Sequence, residues 1–193
     1  SYSQIIGTLL YIANSTRPDI SYVVSRHSKY TSRPDDSHWK ALEIILKYLK
    51  GTMTYGIHYS GYPTVLEAYS DASWITYTVD RKGTSGYIFT LGGSVVVWRS
   101  SKQTVISRST MEVELIALNT TGHEVEWLKN LLSEISLVKK PMPSISVLCD
   151  NQAMISVCNN KHFNHKSRHL SIKHSMMRYL IKKWILDFGI CKV

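Results

Sequence analysis

Apolar residues stand at positions 5, 6, 9, 10, 12 and 13, a helical spacing that predicts a helix over Ser3–Ala13. Asn14-Ser15-Thr16 breaks it, and Thr16 is placed to cap a second helix with Pro18 in its first turn. Ile20, Val23, Val24, His27 and Tyr30 would carry that helix's buried face. After a loop over Ser32–Asp36, Ser37 is expected to cap a third helix. That helix sets Trp39, Leu42, Ile45, Leu46 and Leu49 on one side and ends at Gly51. The first 51 residues therefore read as three helices with no catalytic cluster of their own.

From Thr54 the period changes. Tyr55–Tyr59 reads as a short strand and Gly61-Tyr62-Pro63 as a turn. Leu66–Ser73 predicts a central strand that ends on Asp71, with small Ala72 and Ser73 leaving that carboxylate open. Thr84–Leu91 and Ser94–Ser100 flank Gly92-Gly93, a hairpin signature. Ser109 or Thr110 would cap a helix through Leu118 that continues or restarts over 123–137. Ile145–Cys149 is a strand ending at Asp150, and a short helix opens at Asn151. A polar loop over Asn159–Arg168 leads to a basic amphipathic helix, Ile172–Trp184, and a last strand starts at Ile185. A meander followed by alternating helices and strands predicts an α/β fold: a mixed five-stranded sheet with flanking helices, preceded by the small helical segment.

Three acids acquire meaning from this layout. Asp71 and Asp150 fall at strand ends. Glu114 lies three residues after Met111 and four before Leu118, inside the helix's apolar stripe, whereas Glu112 groups with Ser109, Ile116 and Asn119. An acid in an apolar stripe is costly unless paired or metal-bound. Strand carboxylates plus a helix glutamate suit a divalent metal, because hard cations take oxygen ligands. Glu112 is expected to be a solvated or supporting acid.

Net charge is +9 over 193 residues, which favours a polyanionic partner. Between Asp150 and Asp187 there is no acidic residue, while Lys166, Arg168, Lys173 and Arg178 are interleaved with histidines. Lys102 adds a cation in the connection before the long helix. Such a surface would neutralise phosphates. His162, His165 and His169 lack flanking cysteines, so solvated histidines near nucleic acid are expected there rather than zinc ligands. The three cysteines have no CxxC spacing and read as free thiols of a reducing, intracellular compartment. No apolar run reaches membrane-spanning length, and no membrane partner is expected. Trp39, Trp98 and Trp127 are expected in the core.

Several motifs in series resemble one family. They are Thr16-Arg17-Pro18-Asp19-Ile20, His38-Trp39-Lys40-Ala41-Leu42, Tyr48-Leu49-Lys50-Gly51-Thr52 and Tyr69-Ser70-Asp71-Ala72. Further along stand Arg81–Tyr87, Trp98–Gln103, Ser109–Glu114, Cys149–Ala153 and Lys166–His169. Together they resemble the Pol polyprotein of Ty1/copia-type LTR retrotransposons, and the order of elements resembles the ribonuclease H fold. The resemblance implies that residues 1–60 are the thumb or connection end of a reverse transcriptase. It implies that 64–193 are a ribonuclease H domain cutting the RNA strand of RNA–DNA hybrids. Asp71, Glu114 and Asp150 would then be catalytic and hold two Mg²⁺ ions, with Mn²⁺ as a substitute. Lys102, Lys166, Arg168, His169, Lys173 and Arg178 would bind nucleic acid. The rest of the polyprotein would be a partner, and the setting a cytoplasmic virus-like particle or the nucleus.

The family's metal glutamate is the second of the Glu-x-Glu pair, in agreement with the helical-face argument for Glu114. Such sites use a fourth carboxylate on a last helix, which the resemblance places beyond Val193. A fragment that binds nucleic acid or protein without cutting, a domesticated or effector product, is therefore the alternative. An integrase- or resolvase-type nuclease is the third reading, opposed by Trp98–Gln103 and Ser109–Glu114.

Overall fold

This computed structural model describes every residue except 62–64, 78–80, 137, 139, 161–167 and 191–193. The expected turn at Gly61-Tyr62-Pro63 and most of the polar loop fall partly or wholly outside the described residues. The chain divides into two compact units, Ser1–His58 with Trp98–Ser100, and Tyr59–Val97 with Ser101–Val193.

The first unit is helical. Helix α1, Tyr2–Ser15, starts with a capping box between Ser1 and Gln4. The second expected helix is broken into a 3-10 turn at Pro18–Ile20, α2 at Ser21–His27 and another 3-10 turn at Ser28–Tyr30. Thr16 terminates α1 instead of capping the next helix. Helix α3, Asp36–Gly51, is capped by Asp35 rather than Ser37. The Asp35 carboxylate accepts from the His38 N–H, and His38 Nδ1 accepts from the Asp35 N–H. Tyr2, Ile6, Leu9, Val24, Leu42 and Ile45 form the core. Trp39 and Leu46 stand exposed at its margin. The Arg17-Pro18-Asp19 motif has a structural use. Arg17 Nη2 donates to Asp19 and to Thr52 Oγ1, both at 2.7 Å, and the Tyr48 hydroxyl donates to Asp19 at 2.8 Å. These bonds fasten the 3-10 turn to the end of α3.

A five-stranded sheet, in the second unit but for Trp98–Ser100, has the order β3-β2-β1-β4-β5, with β1 Glu67–Tyr77, β2 Lys82–Leu91, β3 Ser94–Lys102, β4 Ile145–Cys149 and β5 Leu186–Ile190. β1 is antiparallel to β2 and parallel to β4, and β4 is parallel to β5. The sheet is therefore mixed, as the alternation of elements requires. Gly92 and Gly93 take φ of +62° and +80°, the left-handed values that a two-residue hairpin turn needs. Tyr55–Tyr59 is not a strand. Ser60 N–H donates to Gly92 O at 2.9 Å, one bond to a turn in place of a ladder.

Helix α4, Thr110–Glu134, runs unbroken for 25 residues. Leu115, Leu118, Val125 and Leu128 pack with Ala68 and Phe89 of the sheet. Trp127 lies about 100° round the helix from Leu128 and is exposed, contrary to expectation. Helix α5 is Gln152–Asn159 and helix α6 is Arg168–Lys182. Leu170, His174, Met177 and Leu180 are the buried face of α6. His174 Nε2 lies 2.8 Å from Val157 O, joining α6 to α5. Among the described residues, no helix is long and apolar enough to cross a membrane.

Candidate active site

Strand β1 carries Asp71 in its interior. The strand does not end there but continues to Tyr77, because β2 keeps pairing with it: Asp71 sits opposite Gly86 and Ser73 opposite Thr84. The β4 side behaves differently. The parallel ladder runs Glu67–Ser146, Ala68–Val147, Tyr69–Leu148 and stops. Asp71 and Asp150 are the residues two positions past that last pair. Both are exposed, at the carboxyl end of the parallel strands, where open sheets leave room for ligands. The partner opposite Asp71 is a glycine, so no side chain crowds it from β2.

Glu114 approaches from the second turn of α4. Two polar contacts hold that helix to the sheet. The buried Thr121 hydroxyl donates to Ser70 Oγ at 3.0 Å, one residue from Asp71. Gln103, buried, donates from Nε2 to Ser85 Oγ at 2.7 Å and to Val113 O at 2.9 Å, next to Glu114. Its oxygen accepts from Ser107 at 3.3 Å, and its backbone N–H reaches Gly83 O at 2.9 Å. Gly83 is tightly enclosed, since a Cβ there would lie 2.9 Å from Ser73 O.

Glu114 Oε2 is shielded from solvent and has no hydrogen-bond partner. Burial, then the charges of Asp150 and Asp71, pushes its carboxyl up to about 7. This crowding of oxygen ligands around an orphaned carboxylate oxygen fits a divalent cation, which would neutralise the repulsion. The ligand atoms of Glu114, Cys149 and Asp150 lie within 4.8 Å of one another. Cys149 is not among the candidates that the sequence suggests. Its one signal is its place as the last inward residue of β4, directly before Asp150. Burial, and then the neighbouring carboxylates, push its thiol up to about 11.

Of the two roles expected for Glu112, solvated or supporting, the structure shows the second. It is buried and closes the N-terminus of α4: Arg108 N–H donates to its Oε2 at 2.7 Å, and its own N–H reaches Ser109 Oγ at 3.3 Å. The Glu-x-Glu pair thus divides into a cap and a carboxylate aimed at the aspartates.

The cationic candidates occupy several surfaces. Arg168 and His169 are exposed at the start of α6. Lys173 is half-buried and donates to Asn119 Oδ1 of α4 at 3.3 Å, with burial lowering its pKa. Arg178 donates to Asn160 O at 2.8 Å. Spaced five residues apart, Arg168, Lys173 and Arg178 spread round the helix rather than along one stripe. Lys102 is exposed at the end of β3. Lys166, His162 and His165 lie outside the described residues.

No protein-family model matches the chain. The Pol polyprotein from transposon RE2 of Arabidopsis thaliana is 38% identical over 186 residues, covering 96% of this chain. The chain spans only 13% of that relative's length. Secreted RxLR effector protein 161 of Plasmopara viticola is 40% identical over 128 residues, which cover 66% of this chain and 90% of the effector. Among solved structures, the foamy viral protease–reverse transcriptase dRH in complex with double-stranded DNA matches with a TM-score of 0.56. That match has 16% identity and covers 100% of this chain and 32% of that one. The mixed sheet with its flanking helices is a ribonuclease H-like fold. The chain belongs to the Pol polyprotein family of copia-type retrotransposons.

Proposed function

We propose that residues 64–193 are a ribonuclease H domain that hydrolyses the RNA strand of an RNA–DNA hybrid during reverse transcription. Residues 1–60 are assigned to the end of the reverse transcriptase. The observation that supports this reading is the placing of Asp71 and Asp150 at the open end of the β1–β4 ladder, beside a Glu114 whose carboxyl is pushed up first by burial and then by their charges.

Asp71, Glu114 and Asp150 are the residues that would hold Mg²⁺, or Mn²⁺ in its place. Bound there, the metal supplies Lewis-acid activation of water and of the leaving oxygen. Asp71 and Asp150 present their carboxylates from fixed backbone positions, so little reorganisation is required. With its carboxyl pushed up to about 7, Glu114 is only partly ionised near neutral pH, and a cation held there would favour the ionised form. The exposed cations at the start of α6 would meet backbone phosphates, and an A-form-like hybrid would be read by shape and 2′-OH contacts.

Cleavage of a labelled RNA–DNA hybrid with Mg²⁺ tests this. Asp71→Asn is expected to lower the rate by at least about a hundredfold, the equivalent of several kcal/mol of lost metal stabilisation. Equal cleavage by the variant would refute the assignment. The 40% identity to an RxLR effector favours a second reading, a fragment that binds without cutting. Salt-sensitive hybrid binding with no cleavage by the wild-type chain would select it.

A further inference from the structure

We propose that Cys149, together with Glu114 and Asp150, forms a mixed sulfur–oxygen site that captures a thiophilic divalent ion such as Zn²⁺ where Mg²⁺ would otherwise bind. This rests on the reading of the carboxylate cluster as a metal centre. The three ligand atoms lie within 4.8 Å of one another. Cys149 Sγ is 4.0 Å from Asp150 Oδ1, and the Asn151 N–H points at the sulfur from 3.4 Å. Zn–S bonds of about 2.3 Å and Zn–O bonds of about 2.0–2.2 Å set tetrahedral donors on one zinc roughly 3.4–3.6 Å apart. Side-chain rotations that close the cluster by about 1 Å would bring all three onto one ion. Glu114 Oε2, shielded and without a hydrogen-bond partner, supplies an oxygen already stripped of water.

The sulfur matters to one class of ion and not the other. Mg²⁺ is hard and gains nothing from a thiol, so it would use the carboxylates alone. Zn²⁺ and Cd²⁺ take sulfur readily, and zinc stands high in the affinity order of divalent ions. Binding forms a metal–sulfur bond, releases the thiol proton to solvent and changes no oxidation state. The captured ion would sit off the Mg²⁺ geometry, and Zn²⁺ would act as an inhibitor competing with Mg²⁺.

The test uses the 193-residue chain and Cd²⁺ as the probe. Titration is expected to produce the ultraviolet thiolate-to-cadmium charge-transfer band at one ion per chain. Cys149→Ser should abolish the band and lower Cd²⁺ affinity roughly tenfold or more, at least what loss of a supporting partner costs. Cys158→Ser, altering a buried thiol on α5, should keep the band. Glu114→Gln retains every thiol and should keep the band while weakening Cd²⁺ binding. A band that survives in Cys149→Ser, or one of unaltered affinity in Glu114→Gln, overturns the proposal, since the ion would then sit away from this cluster. Hybrid cleavage with Mg²⁺ is scored separately. Its absence alongside a Cys149-dependent band counts against the ribonuclease reading only, and cleavage without the band counts against the zinc site only.

Discussion

Asp71 and Asp150 stand on neighbouring parallel strands, each two residues beyond the same ladder pair, Tyr69 and Leu148. Past that pair β4 ends while β1 continues beside β2. The two carboxylates therefore occupy the point where the strands part, and the buried Ser70–Thr121 hydrogen bond brings α4 and its Glu114 to the same place.

Glu114 predicts a pH dependence. Its folded pKa of about 7 lies above the ordinary 4.5. Between those values the folded protein binds more protons at this group than the unfolded chain does, so stability falls as pH rises through that window. Thermal melts of metal-free protein should show Tm declining from about pH 5 to pH 7, with a flatter profile for Glu114→Gln. Adding Mg²⁺ at about 100 times its Kd should raise wild-type stability by about 2.7 kcal/mol. A wild-type profile as flat as the variant's would contradict the crowding at Glu114.

Hybrid binding should separate the cations of α6. Arg168 is exposed, so Arg168→Ala should reduce the slope of log K against log salt by about 0.9. Lys173 is half-buried on Asn119, so Lys173→Ala should change that slope by much less. Equal losses, measured by fluorescence anisotropy across salt, would place both on phosphates.

Two glycines should respond in opposite ways. Gly83→Ala drives a Cβ to 2.9 Å from the Ser73 carbonyl, a backbone atom that cannot yield, and should cost roughly 1–3 kcal/mol. Gly51 has open space around it at the end of α3, so Gly51→Ala should be neutral or stabilise by up to about 1 kcal/mol. Urea denaturation of both variants checks the contrast.

The order of strands and helices is legible in the chain because the hydrophobic period switches where the backbone does. Ile145–Cys149 alternates inward and outward as a half-buried strand must. Glu114 is separable from Glu112 on helical geometry, since only one lies on the Met111–Leu118 stripe. The sequence leaves Glu112 open between a solvated and a supporting role, because a helix N-terminus needs acceptors but a capping contact leaves no periodic trace. The end of β1 is hidden for a similar reason: Ala72 and Ser73 are weak strand formers, and only their pairing with β2 extends the strand. Tyr55–Tyr59 has strand-like residues but, among the described residues, no neighbouring strand to complete them. Cys149 escapes notice because a lone thiol before an aspartate carries no spacing signal.

Gln103 joins Ser85, Val113, Ser107 and Gly83 in one buried knot, and it sits in a motif that reads as readily for chemistry as for architecture. If the chain cleaves hybrids as proposed, a mutational screen scored only on lost cleavage would place Gln103 beside the three acids. Scored also on the amount of folded protein, it would fall in a different class: the acids would fail with the chain intact, and Gln103 would fail with it.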